Sequence, residues 1–260
     1  MSWLNIYRKI IESYILYDDD ILGAFYGGSI ARNESDKFSD IDLRIIIKAN
    51  QKKCKILKEF INLFDNILFV ENQTNEFAIV HLENLLKIDV LIFYKQELMP
   101  SIWFNNILIV KDKDFFLSDL KKKSDVTTNI TSERLCNICN KYLAYLIESY
   151  KRYQRDELFY LQYAINMMTN SLCHLWYLEM TEEPNSLGDW SKYEGRRSKL
   201  SELQLETLNK VYTKSYYEKL AILNDSFLEV LKYIDIKHHF NHYNEYKNIV
   251  KIIMNKRIAE

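Results

Sequence analysis

Gly27-Gly28-Ser29-Ile30-Ala31-Arg32-Asn33-Glu34-Ser35-Asp36-Lys37-Phe38-Ser39-Asp40-Ile41-Asp42-Leu43 is the stretch whose reading decides the fold. The apolar run Ile21–Tyr26 leads into its two glycines, and a second apolar run leaves it at Ile41. Short apolar runs bounded by turn residues read as buried strands, so the stretch is a turn and the start of a helix between two strands. On a strand, side chains two apart share a face, which lets Asp40 and Asp42 converge on one point. Glycines admit a phosphate close to the backbone. A helix starting at Ser29 or Ile30 turns free N–H groups and a partial positive charge toward it. Ser29 adds a hydroxyl, and Arg32 adds a cation one turn on.

Each piece also has a plainer reading. Gly-Gly-Ser is common in turns, and Ser39-Asp40 suits a turn with an Asx hydrogen bond. Asp42, however, enters a strongly apolar strand, and Asp89 stands alone inside the apolar run Ile88–Tyr94. A buried acid needs a partner. For Asp89, a salt bridge to Arg44 or Lys87 is one answer. The other is that Asp40, Asp42 and Asp89 together surround a divalent cation that removes their repulsion. Mg²⁺ is usually shared between one or two carboxylates and substrate phosphates.

Working outward, the 260 residues and 48% hydrophobic composition supply a sizeable core. The 35 basic and 36 acidic side chains give a formal net charge of -1, so no broad basic footprint for a nucleic acid is present. Two prolines and five glycines predict long regular elements. No window of about 18 uncharged apolar residues predicts a membrane span. The N-terminus lacks the apolar core and cleavage site of a signal peptide, so the expected location is cytoplasmic. Four cysteines fit a reducing compartment. Cys136 and Cys139, one helical turn apart with no second pair, read as structural thiols, and His238, His239 and His242 as a surface cluster.

The pattern predicts helices over Trp3–Tyr17 and Gln51–Phe64 and strands over Ile21–Tyr26, 42–48, Ile88–Tyr94 and Asn106–Val110, with a hairpin formed by Ile67–Glu71 and Phe77–Leu82. From about Thr131 the period changes to 3.6. Helices follow over Glu133–Gln154, Glu157–Met180, Leu200–Tyr212, Tyr216–Ile234 and Tyr243–Asn255. The one long irregular segment is Thr181–Arg197. An α/β domain, residues 1–125, thus precedes an all-helical domain, residues 126–260.

With Gly28-Ser29, the Ser39-Asp40-Ile41-Asp42-Leu43 strand and the later Asp89, the sequence resembles the nucleotidyltransferase superfamily of DNA polymerase beta and the antibiotic nucleotidyltransferases. Ala31-Arg32 and Asp36 also match small bacterial members. Asn33 departs from a frequent Gly but tolerates the left-handed conformation. The resemblance covers roughly residues 20 to 95. It implies a palm-like domain with a mixed sheet and a nucleoside triphosphate substrate, with ATP donating AMP. It implies two Mg²⁺ ions at Asp40, Asp42 and Asp89, with Gly27, Gly28, Ser29, Arg32 and Ser39 around the nucleotide.

An α/β half followed by helices is similar to the aminoglycoside and lincosamide nucleotidyltransferases, whose helical domain helps form the acceptor pocket. The implied acceptor is a hydroxyl of a small molecule. A protein or tRNA acceptor, as in nucleotidyltransferase antitoxins, and a weakly active nucleotide-binding module are the alternatives. A homodimer is compatible with the sequence. Arg155-Asp156-Glu157-Leu158 is similar to a helix start in streptomycin adenylyltransferases, which makes Glu157 or Asp156 a ligand for a cationic acceptor or the base for its hydroxyl; two acids favoured by the helix dipole are the plain reading. In the irregular segment, Tyr193 and Trp190 are candidates to stack on a ring and Arg196, Arg197 and Lys199 to reach the phosphates. Solvated cations and a helix cap at Ser198 are the alternative.

Overall fold

The computed structural model describes residues 3–126 and 128–256. The chain divides into two compact units, Met1–Thr127 and Thr128–Glu260.

In the first unit the runs of Ile, Leu and Val around the glycine turn become strands. Helix α1 (Trp3–Tyr17) precedes β1 (Ile21–Tyr26), a single turn α2 (Gly28–Ala31) and β2 (Ile41–Ile47). Then come α3 (Lys53–Ile61), the hairpin β3 (Ile67–Gln73) and β4 (Phe77–Leu82), β5 (Lys87–Tyr94), β6 (Leu108–Asp112) and α4 (Phe116–Lys123). The strands form one mixed sheet in the order β3-β4-β5-β2-β1-β6. The β2–β5 pair is parallel and the other pairs are antiparallel. Residues 111–123, for which the sequence pattern predicts no element, hold the end of β6 and the helix α4, which buries Leu117 and Leu120.

Strand alternation assigns the two faces of the sheet. Ile41, Leu43, Ile45 and Ile47 of β2, Ile88, Val90 and Ile92 of β5, and Ala78, Val80 and Leu82 of β4 point into the main core. Leu4, Tyr7, Ile11 and Ile15 of α1 and Ile56, Leu57 and Phe60 of α3 close that core. On the other face a smaller cluster, Phe25, Ile46, Leu98, Ile107, Leu117 and Leu120, lies toward β1 and β6. Toward β4 this face holds the half-buried Phe77, Ile79 and His81, and β3 is exposed along nearly all its length. One face is core throughout; the other is covered toward β1 and β6 and more open toward β4 and β3.

The second unit is all-helical: α5 (Ser132–Gln154), α6 (Leu158–Glu179), α7 (Glu202–Thr213), α8 (Tyr216–His238) and α9 (Tyr243–Lys256). α6 is buried around its whole circumference from Met167 to Leu178. A helix apolar all round is a core helix. Its polar residues are satisfied locally or put to use. Thr169 and Ser171 donate to the carbonyls one turn back at 2.8 and 2.9 Å. Asn170 receives Gly188 N–H at 2.9 Å and donates to Asp189 O at 3.2 Å, while Tyr177 O–H donates to Lys192 O at 2.6 Å. The irregular segment is thereby fastened to the helix beneath it. Ser201, not Ser198, caps α7, in a reciprocal pair with Gln204. Ser198 instead donates to Tyr193 O inside the segment. No helix among the described residues is long and apolar enough to cross a membrane.

Candidate active site

The site is assembled where β1 ends and β2 and β5 run side by side. Gly28 has φ +57, and a Cβ built on it would lie 2.0 Å from Asp42 Oδ2. The left-handed backbone disfavours a side chain there, and one could enter only by displacing the Asp42 carboxylate. Gly27 N–H donates to Asp42 O at 2.8 Å, tying the turn to the first residues of β2. Ser29 and Ser39 are buried. Ser39 Oγ bonds Asp36 Oδ1 at 3.1 Å and receives Asp36 N–H at 2.9 Å, which fixes the entry to β2. Asn33 adopts φ 58, the conformation its side chain was expected to tolerate. Arg32 is engaged by Glu34 at 2.8 Å.

Parallel pairing sets Asp42 directly beside Asp89. Lys87, two residues before Asp89 and so on the same face, places its ammonium 3.0 Å from Asp40 Oδ2 and 3.4 Å from Asp89 Oδ2. The salt bridge weighed for Asp89 is therefore present, with Lys87 and not with Arg44. The Arg44 guanidinium donates to the backbone carbonyls of Leu43 and Asp89 at 3.0 and 3.3 Å. Burial raises the Asp89 pKa; Lys87 opposes this, and Asp42 adds to it. Burial lowers the pKa of Arg44 against the pull of Asp42 and Asp89. Burial also acts against the Lys87 charge, but its bond to Asp40 and the Asp89 carboxylate raise its pKa overall.

Among the described residues no group of three or more His, Cys, Asp or Glu stands close enough to enclose an ion. The donor set nevertheless suits a hard divalent cation, which prefers oxygen ligands. Asp89 Oδ1 is buried with no hydrogen-bond partner. Such an orphaned acceptor costs on the order of 1–3 kcal/mol. A cationic group, the Lys87 ammonium, already bridges two of the three acids.

The model of the streptomycin adenylyltransferase family matches residues 5–256, nearly the whole chain. The chain belongs to this family. It is a nucleotidyltransferase. No curated protein sequence matches the chain. Similar solved structures include an aminoglycoside 6-adenyltransferase from Bacillus subtilis, at 16% identity and TM-score 0.45 over 95% of this chain and 96% of that one. A nucleotidyltransferase-like protein from Exiguobacterium sibiricum gives 14% identity and TM-score 0.42 over 97% and 88%. The spectinomycin adenyltransferase AAD(9) from Enterococcus faecialis, solved with ATP and spectinomycin, gives 13% and 0.27 over 99% and 98%.

Elsewhere in the chain the expected acceptor residues fare unevenly. Tyr193 is fully buried, its ring edge-on to Tyr177 at 4.9 Å and its hydroxyl accepting Asn185 N–H at 3.1 Å. It is a core residue of the helical unit and does not stack on a ligand; the aromatic in a loop sequence was the misleading signal. Glu157 heads α6 without capping it, and Arg152 holds its carboxylate at 2.6 Å. Lys199 is paired with Glu182 at 2.6 Å. Arg196 and Arg197 lie in the exposed turn Gly195–Arg197. Cys139 and Cys173 are buried free thiols, and His242 meets Ser132 Oγ at 2.7 Å. Lys87 was weighed only as a partner for Asp89, and its contact with Asp40 was missed. The i, i+2 spacing to Asp89 puts Lys87 on the face of the acids but does not name Asp40 as its partner.

Proposed function

We propose that the chain transfers AMP from Mg-ATP to a hydroxyl of an aminoglycoside-type antibiotic, releasing pyrophosphate. The observation that carries the reading is the pairing of Asp42 with Asp89 across β2 and β5, with Gly28 packed on the Asp42 carboxylate. Family membership supplies the reaction type, and the family's name and the names of similar structures point to the acceptor class.

Asp40, Asp42 and Asp89 would hold Mg²⁺, which when bound lowers the pKa of an attacking hydroxyl and offsets the charge on the leaving pyrophosphate. The chain's own residues do the positioning. The turn at Gly27 and Gly28 leaves the backbone open to a phosphate, and Ser29 stands at the start of α2 to donate to it. Gly28 leaves the space that the Asp42 carboxylate occupies, and the Gly27 N–H bond to Asp42 O ties the turn to the strand, so the carboxylate stands beside the turn before substrate arrives. Asp89, with an unpartnered oxygen, supplies the acceptor side.

The test is release of pyrophosphate from ATP and Mg²⁺ with a panel of aminoglycosides, followed by mass analysis of the products. Wild type should yield an adenylylated aminoglycoside and Asp42→Asn should lose at least about 10²-fold in rate, the scale of one lost electrostatic catalytic group. An Asp42→Asn enzyme with wild-type turnover, or labelling of a protein alone, refutes the reading.

A further inference from the structure

The open face of the sheet carries a second feature beside the carboxylates. Cross-strand register forms two rows. Phe69 of β3 faces His81 of β4, which faces Lys87 of β5; in the next row Ile79 faces Asp89, which faces Asp42. His81 is thus a diagonal neighbour of Asp89, about 7–8 Å away by ordinary strand geometry. The Phe69 and His81 rings are stacked, 4.4 Å between centroids and 12° between planes. His81 Nε2 lies 2.8 Å from Glu71 Oε2, and an ionised carboxylate only accepts, so the imidazole proton is on that nitrogen.

This group does not serve the core. The other face of β4 does that, and Phe69 remains 49% exposed. A flat ring held by a stacked imidazole, with a carboxylate at its edge, recognises a ring that has an apolar C–H face and carries ammonium groups. The C–H face lies on the aromatic ring and an ammonium gains from both the ring and the carboxylate. Glu71 has lone pairs for about four hydrogen bonds, and only its Oε2 is drawn to His81. A nucleotide fits the place poorly, because its triphosphate would be repelled by Glu71.

We infer that Phe69, His81 and Glu71 form a subsite for the acceptor, an aminocyclitol or amino-sugar ring, one row from the catalytic acids; this rests on the function proposed above. The subsite sets a hydroxyl of the bound ring toward Asp89 while Glu71 fixes an amino group. Specificity for cationic rings then resides in the hairpin β3–β4.

The test is calorimetric titration of the full chain with streptomycin and with spectinomycin, and in parallel with Mn²⁺. Wild type should bind at least one of the two compounds. Phe69→Ala and Glu71→Gln should each weaken that binding at least tenfold and leave Mn²⁺ affinity unchanged, while Phe69→Tyr retains binding. Equal affinity in the variants, or no binding of either compound to wild type, overturns the inference. Mn²⁺ affinity unaltered by Asp42→Asn would instead overturn the catalytic reading, so the two failures are distinguishable.

Discussion

Gly28 is held by two constraints that act on the same atom, a left-handed φ and a carboxylate where a methyl would go. Gly28→Ala should destabilise the unit by about 1–2 kcal/mol from the backbone alone, and it should also push Asp42 aside. Urea unfolding and Mn²⁺ titration check the two effects separately; a stable variant with normal Mn²⁺ affinity would contradict the contact. Lys87 makes the converse case. Removing its ammonium leaves Asp40 and Asp89 facing each other unscreened, so Lys87→Met should bind Mn²⁺ about tenfold more tightly, a change of about 1.4 kcal/mol. Unchanged or weaker affinity by calorimetry would show that Lys87 does not compete for the site. At this scale Asp42 and Asp89 stood out because acids inside apolar runs violate the pattern. The Lys87–Asp40 contact was not, since nothing in the sequence says which neighbour a lysine reaches. Tyr193 was misread because a loop sequence does not show whether the loop is pinned over a core.

Among the elements, α6 and the segment 181–199 behave as one piece. His174 of α6 is nearly buried, and its Nε2 has no hydrogen-bond partner. Burial first, then the nearby Arg134 charge, push its pKa from 6.5 to about 4. Its folded value lies below the unfolded one, so its contribution to stability is present above about pH 6.5 and is lost as pH falls toward 4. At 1.36 kcal/mol per unit the loss amounts to roughly 3 kcal/mol. Urea midpoints at pH 7 and pH 5 should therefore converge in His174→Gln and diverge in wild type; parallel pH dependence would exclude the histidine as the cause. Ser201→Ala should cost about 0.5–2 kcal/mol through the lost cap. Helix and strand existence was readable from periodicity except at α4, where the run of lysines hides a single buried pair, Leu117 and Leu120; boundaries moved where a second serine three residues on made the better cap, as at Ser201.

The whole molecule closes two separate sets of cores, one around α5, α6 and α8, the others on the two faces of the sheet. Domains fold as units, so calorimetry of the full chain should resolve two transitions. A single one with equal calorimetric and van't Hoff enthalpies would contradict this. The change of period near Thr131 made the two-part layout legible, but the strand order was not, because hydrophobic runs do not say which strands are neighbours. That order has a kinetic consequence. Asp42 and Asp89 meet only through the parallel pairing of β2 and β5, across α3 and the β3–β4 hairpin. Such non-local pairings must close a long loop before any contact rewards them. A chain emerging from the ribosome carries Asp40 and Asp42 well before Asp89, so metal binding should appear only after β5 has docked on β2, which would make it a reporter of that one strand pairing, independent of the later edge strand β6.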